Sequence, residues 1–217
     1  MINIGVLGTG MVGKAIATKL IQLGYRVMMG SRTSTNEKAL AWVNEHGSLA
    51  QAGTFADTAA FGELIFNCTK GEITLDVFKS ISKELMDGKT IIDLSNALDY
   101  SHGMPPVLNA TYCNTYSLGE AIQELLPQAN VVKSLNIITA DGMVNPQKCG
   151  QDLTMFMSGN SAEAKAEVEE LLLQFGWQDI IDLGDITSAR GTEMMLPVWL
   201  RIYGQLKSPY FGFKIAR

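Results

Sequence analysis

Cysteine is scarce in this sequence. Cys68, Cys113 and Cys149 are odd in number, far apart and in no metal-ligand spacing, which excludes a disulfide framework and a zinc site and suits a reducing cytoplasm. Positive charge is also in deficit, with 17 Lys and Arg against 22 Asp and Glu, a net charge of -5. Nucleic acid and anionic membranes are polyanions and therefore poor partners, and any anionic ligand must be held by local donors. No signal peptide fits, because a strand starts at Ile2 with no charged segment before it. The most apolar late segment, 194–203, is too short to span a bilayer and carries Pro197 and Arg201. There is no internal repeat and no low-complexity tract. Apolar residues, by contrast, make up 47% of the 217 positions and charged ones 18%, enough for one substantial core in a globular chain.

The opening INIGVLGTGMVGKAIATKLIQLGYRVMMGSR reads as strand, tight turn, helix, strand. Ile2, Ile4, Val6 and Leu7 form a short apolar run; Val12, Ile16, Leu20 and Leu23 recur at helical spacing, and Gly24 supplies the stop. A helix over 37–45, a strand ending in ELIFNCT, a helix after Thr74 and a strand in KTIIDLSN continue the alternation, which implies a parallel sheet with right-handed crossovers. Regularity stops over 99–116, a length of loop that is usually functional or mobile. Ser117 and Glu120 have capping-box spacing and start a helix that runs to Pro127, followed by a strand in NVVKSLN. DLTMFMSG is a further strand, Ser161 starts a helix with a Val168, Leu171, Leu172, Phe175 stripe closed by Gly176, and WQDIIDLG is one more strand. The segment 186–206 is helical in composition, but Gly191 and Pro197 predict a kink or two short helices. Its Met194, Leu196, Val198, Trp199, Leu200, Ile202 and Tyr203 overfill one face, which predicts burial from two sides, a second subunit being one source. The expected architecture is α/β, a Rossmann-type doubly wound parallel sheet over 1–150 with a small C-terminal helical appendage over 151–217.

Gly8-Thr9-Gly10-Met11-Val12-Gly13 matches the dinucleotide fingerprint in the context that gives it meaning, after a strand and at the opening of a helix. The first glycine makes the turn, the second lets a pyrophosphate reach the backbone, and the third lets helix and strand pack closely. Amides of Gly10, Met11 and Val12 then face the anion. A unit selective for NAD carries an acid at the end of the next strand. Ser31-Arg32-Thr33 stands there instead. A 2'-phosphate would be repelled by Asp, whereas a guanidinium binds two of its oxygens and two hydroxyls can donate to the third, so the expected cofactor is NADP.

GTGMVGKAIATKL, GYRVMMGSR, IIDLSN, VVKSLN and IDLGDITSARGTE, in that order and covering nearly the whole chain, give it a resemblance to the NADP oxidoreductases that use a deazaflavin, coenzyme F-420. The chain also resembles the cytosolic reductase domain of the six-transmembrane metalloreductases, although it carries no membrane domain. The resemblance implies a Rossmann domain with a small C-terminal part, often a homodimer, that passes a hydride between NADPH and a flavin-like ring: a deazaflavin, or FAD or FMN as second cofactor or substrate. It also implies that Cys68, Thr69 and Lys70, with Ser95 and Asn96, line the ribose and nicotinamide. Ile137, Thr139 and Ala140 are then near the face where the second ring stacks.

Hydride passage between stacked rings needs proximity and orientation more than an acid or base, so no dedicated catalytic side chain is expected. Asn136 is the one weak candidate. Hydroxyacid dehydrogenases of related architecture use a Lys and an Asn near the nicotinamide, but Lys133 and Asn136 are three apart, a spacing that puts them on opposite faces of a strand. Asp185 or Thr187 can cap the last helix, and Ser188 with Arg190 can reach a flavin-type phosphate or serve a cap and a subunit contact. Two other readings stay open: reduction of a small carbonyl or imine with Lys133 or Tyr116 as proton donor, and an NADPH-sensing module without turnover. No metal site and no macromolecular partner beyond a second copy are expected; the partner is a small-molecule redox acceptor.

Overall fold

The computed structural model describes residues 2–150 and 152–217. Its first unit is β1 (Asn3–Leu7), α1 (Met11–Gln22) and β2 (Arg26–Ser31), with Gly24 at φ +90° turning the chain back to the sheet. α2 (Glu37–His46) starts at Asn36, whose Oδ1 accepts from the amides of Lys38 and Ala39. Then come β3 (Ala50–Thr54), α3 (Phe55–Phe61), β4 (Leu64–Asn67), α4 (Gly71–Lys79) and β5 (Thr90–Asp93). Neither β3 nor α3 is foreseen from the sequence. AQAGT has no apolar run to mark a strand; it forms one because all five residues pair with β2, and its Thr54 opens α3 through a complete capping box with Asp57. α4 begins three residues before Thr74, the start expected.

The irregular stretch after β5 folds back as a small hairpin, β6 (Leu98–Asp99) and β7 (Val107–Leu108). α5 (Leu118–Leu125), β8 (Asn130–Ser134), α6 (Ala140–Val144), β9 (Thr154–Gly159), α7 (Ala162–Phe175), β10 (Asp179–Asp182) and α8 (Ala189–Leu206) complete the chain. Only half of the expected capping box forms at α5. Ser117 Oγ accepts from the Glu120 amide, but the Glu120 carboxylate accepts from the Ser117 hydroxyl and from Arg190, not from the Ser117 amide. α8 is a single helix and not two, with Gly191 and Pro197 inside it. The proline ring removes one backbone bond, to the Glu193 carbonyl. α8 buries Ala189, Thr192, Glu193 and Leu196 against the body, and leaves Met194, Val198, Tyr203 and Leu206 exposed.

Eight strands make one sheet in the order β10-β9-β8-β5-β4-β1-β2-β3. All pairs are parallel except β8 with β9. The architecture is the Rossmann-type doubly wound sheet, with one antiparallel step. Because alternate residues of a strand face opposite sides, Val6, Phe66 and Val132 enter the core beneath α1 and α7, while Leu7, Ile65 and Val131 enter the core beneath α4 and α5. The reversal at β9 brings the starts of β9 and β10 to the carboxyl rim of the parallel strands. There the C-terminal tail is tied down: Thr154 donates its amide to the Phe213 carbonyl and accepts from the Ile215 amide, and Asp179 pairs with Lys214 and Arg217. Among the described residues no helix is long and apolar enough to cross a membrane.

Candidate active site

The order of strands reverses between β1 and β4, where ligands of open α/β sheets bind beyond the carboxyl ends. A cleft of about 780 Å³ opens there, walled by Gly8, Thr9 and Gly10, by Ser31, Arg32 and Thr33, and by Cys68, Thr69 and Lys70. The three fingerprint glycines play three different steric parts. Gly8 has φ +116°, and a Cβ on it would lie 2.8 Å from the Cys68 carbonyl oxygen; a Cβ on Gly13 would lie 2.1 Å from the Gly8 oxygen. At Gly10 a Cβ would meet nothing within 4 Å. The loop is thus locked against its own strand and helix at both ends and open in the middle. No side chain caps α1, so its first amides are free to meet an anion. These contacts predict two opposite phenotypes. Gly13→Ala should lose about 1–3 kcal/mol of stability from overpacking, whereas Gly10→Ala should stay within about 1 kcal/mol of the parent yet lose nucleotide affinity, as thermal melts and binding titrations would show.

Ser31 is buried, and its hydroxyl is already spent: it donates to the Thr33 carbonyl at 2.6 Å. It shapes the turn instead of offering a donor, a correction to the expectation of two free hydroxyls. Arg32 and Thr33 remain exposed on that turn. Asn36 and Lys38 line the same cleft. Among the described residues Arg32, Lys38 and Lys70 have no ion-pair partner within 4 Å, and Glu72 is the single acid among the lining residues. A chain of net charge -5 therefore concentrates cations in one cleft. Past Arg32, a second hollow of about 460 Å³ lies between Phe55, Ile73 and Val77.

On the far side of the switch the strand ends are knitted together. Thr69 Oγ1 donates to Asn67 Oδ1 at 2.7 Å, Asn67 Nδ2 donates to Asp93 at 2.7 Å, and Lys133 Nζ reaches Asp93 and Glu193, each at 2.8 Å. Glu193 in turn accepts the amides of Leu118 and Gly119 at the start of α5. Burial works against the Lys133 charge, but the carboxylates of Asp93 and Glu193 outweigh it and hold its pKa above the ordinary lysine value. The Cys68 thiol is pushed up by burial and by the Asp93 charge, so it lines the cleft as a neutral group. Ser95 turns inward, its hydroxyl on Asp93 and its carbonyl accepting from Lys133. Asn96 and Asn136 bond reciprocally: Asn96 Nδ2 donates to the Asn136 carbonyl, and Asn136 Nδ2 to Asn96 Oδ1, both at 2.9 Å.

A family model described as "NADP oxidoreductase coenzyme F420-dependent" matches residues 3–97, a span that holds the fingerprint, the Arg32 turn and the Ser95–Asn96 turn. A crystal structure from Arthrobacter sp. FB24, described there as a candidate F420-dependent NADP-reductase, superposes with a TM-score of 0.94 at 47% identity, covering 100% of both chains. The chain belongs to this family of NADP-dependent oxidoreductases. It is 27% identical over 221 residues to the F420-dependent NADP reductase of Methanocaldococcus jannaschii, covering 96% of this chain and 95% of that one. It is also 29% identical over 201 residues to the metalloreductase STEAP3 of Rattus norvegicus, where 91% of this chain matches only 38% of the relative.

Within this family member several expected site residues stand elsewhere than foreseen. Lys133 and Asn136 both meet α8, Lys133 through Glu193 and Asn136 through the Thr192 carbonyl at 3.1 Å. Strand alternation would separate them, but β8 ends at Ser134 and Leu135 takes φ +60°, which turns the chain. Ile137 is buried, and Thr139 and Ala140 are partly buried at the start of α6. Arg190 is held by Glu120 and Ser188 Oγ by the Leu183 carbonyl, so neither is free for a ligand phosphate. Asp185, not Thr187, supplies the cap, to a single turn before α8. Asn36, Lys38, Phe55, Asn67, Ile73, Asp93 and Glu193 escape the sequence reading. Lys133 inside the apolar VVKSLN and Asp93 inside IIDLSN were the available signals, since a charge in a buried strand demands a partner.

Proposed function

We propose that this oxidoreductase transfers a hydride between NADPH and a deazaflavin or flavin-type ring, with coenzyme F420 as the first acceptor to test. The observation that carries the NADP half is the cationic cleft at the switch point. Three cations without an ion-pair partner among the described residues and an open glycine backbone face a cofactor with a pyrophosphate and a 2'-phosphate. In this reading Gly8 to Gly13 cradle the pyrophosphate, Arg32, Thr33 and Lys38 hold the 2'-phosphate, and the adenine enters the apolar hollow between Arg32, Phe55 and Ile73. The Cys68–Lys70 loop, the Ser95 and Asn96 backbone and the Asn136 pair then border the ribose and nicotinamide, with Ile137, Thr139 and Ala140 toward the acceptor.

The acceptor half is supported by the names of the relatives and by the state of the proton donors. Lys133 is wholly buried between two acids. Tyr116 donates to Glu124, with burial and that carboxylate raising its pKa. His102 lies exposed in the β6–β7 hairpin. A carbonyl or imine reductase needs a placed donor, whereas ring-to-ring hydride passage needs only stacking and orientation. A homodimer belongs to the same reading, supported by the exposed Met194, Val198, Tyr203 and Leu206 along α8.

The test follows nicotinamide absorbance when the protein and NADPH meet F420, then FAD, FMN and ferric chelates, then a panel of carbonyls and imines. Turnover with F420 or a flavin is expected. Turnover with a carbonyl or imine alone overturns the proposal, and binding of NADPH without turnover on any acceptor assigns the chain to NADPH sensing.

A further inference from the structure

Asp93, Lys133 and Glu193 hold one more negative than positive charge where water does not reach: their side chains are 0%, 0% and 1% exposed. Every partner of the two acids is a donor. Asp93 accepts from Asn67 Nδ2, from the Ser95 amide and hydroxyl and from Lys133; Glu193 accepts from Lys133 and from two amides of α5. Both are therefore held as carboxylates. The neighbouring Arg190–Glu120 pair is neutral in sum, and the α5 terminus supplies only about half a positive charge, so an excess of negative charge remains. It lies directly beneath the Ser95–Asn96 turn, because Lys133 also donates to the Ser95 carbonyl.

A doubly wound sheet takes the two halves of a dinucleotide on its two sides, here the adenosine over β1, β2 and β3 and the nicotinamide over β4, β5 and β8. On the NADP reading, on which this inference rests, the nicotinamide lies over that excess charge. Its ring is neutral in NADPH. When it gives up a hydride, a proton with two electrons, to the flavin-type acceptor, the acceptor is reduced and the ring is left with one positive charge. We infer that Asp93 and Glu193 form an electrostatic bias under the nicotinamide, stabilising the oxidised ring over the reduced one and so favouring hydride donation from NADPH. They touch no reacting atom and act through the field. A unit charge on the order of 10 Å away, in an effective dielectric of about 20, shifts an equilibrium roughly tenfold.

The measurement is the dissociation constant for NADP+ and for NADPH, by titration of the full chain and of Glu193→Gln and Glu193→Asp. Glu193→Gln should weaken NADP+ relative to NADPH by roughly tenfold. Glu193→Asp keeps the charge and should keep the parental ratio, even where both affinities fall. Equal loss of both nucleotides in Glu193→Gln, or no change in the ratio, means that Glu193 is structural and overturns the inference. If Glu193→Gln does not fold, Asp93→Asn removes the same charge and should move the ratio in the same direction; an unmoved ratio there has the same consequence. Failure of the parent protein to bind either nucleotide would instead sink the NADP reading itself.

Discussion

Arg32→Ala should cost NADPH between tenfold and several hundredfold in affinity while leaving NADH almost unchanged. The range follows from a total loss of about 1.5–3 kcal/mol, the contribution of one strong charge-assisted hydrogen bond or two weak ones. The guanidinium is exposed and has no ion-pair partner among the described residues, so its removal leaves no buried partner stranded and the fold should melt as before. Lys38→Ala should give a smaller loss in the same direction, since an ammonium binds phosphate as a point charge without the planar fork of Arg. Direct titration with both nucleotides decides the matter: an equal fall for NADPH and NADH would mean that Arg32 does not recognise the 2'-phosphate.

Lys133→Met should destabilise the protein by about 3–5 kcal/mol, because it strands two buried carboxylates on their neighbours. For a chain of this length that corresponds to a fall in Tm of roughly 6–20 °C. The pKa of Lys133 is raised on folding, so its stabilisation is complete below the unfolded value of about 10.4 and is lost only as pH rises through the still higher folded one. The contribution of Lys133 to the parent's stability should accordingly be flat between pH 6 and 9. A Tm within about 2 °C of the parent would show that Asp93 and Glu193 find other partners.

The parts of this site that could be read from the sequence are the local ones. Strand, glycine turn and helix stand within twenty residues, so Gly8 to Gly13 declare themselves, as does Arg32 at the end of the next strand. Ser161 and Gly176 mark the ends of α7 for the same reason, because a cap is a matter of a few adjacent residues. β3 was hidden because its stability comes from pairing with β2 and not from its own composition. The Asp93–Lys133–Glu193 chain was hidden because its members lie on β5, β8 and α8, and only the sheet order and the docking of α8 bring them together. Lys133 and Asn136 show the limit from the other side. Alternation does not extend to Asn136, two residues past a strand end that a left-handed Leu135 makes abrupt.

The order of the strands also bears on how the chain is made. β1 is paired on both edges, with β2 and with β4, so it stays half-paired until Asn67 has been made. β8 likewise keeps an open edge until β9 is complete at Gly159. Unpaired, apolar strand edges invite association with other chains, and β1 and β8 carry that exposure until their second partners are made.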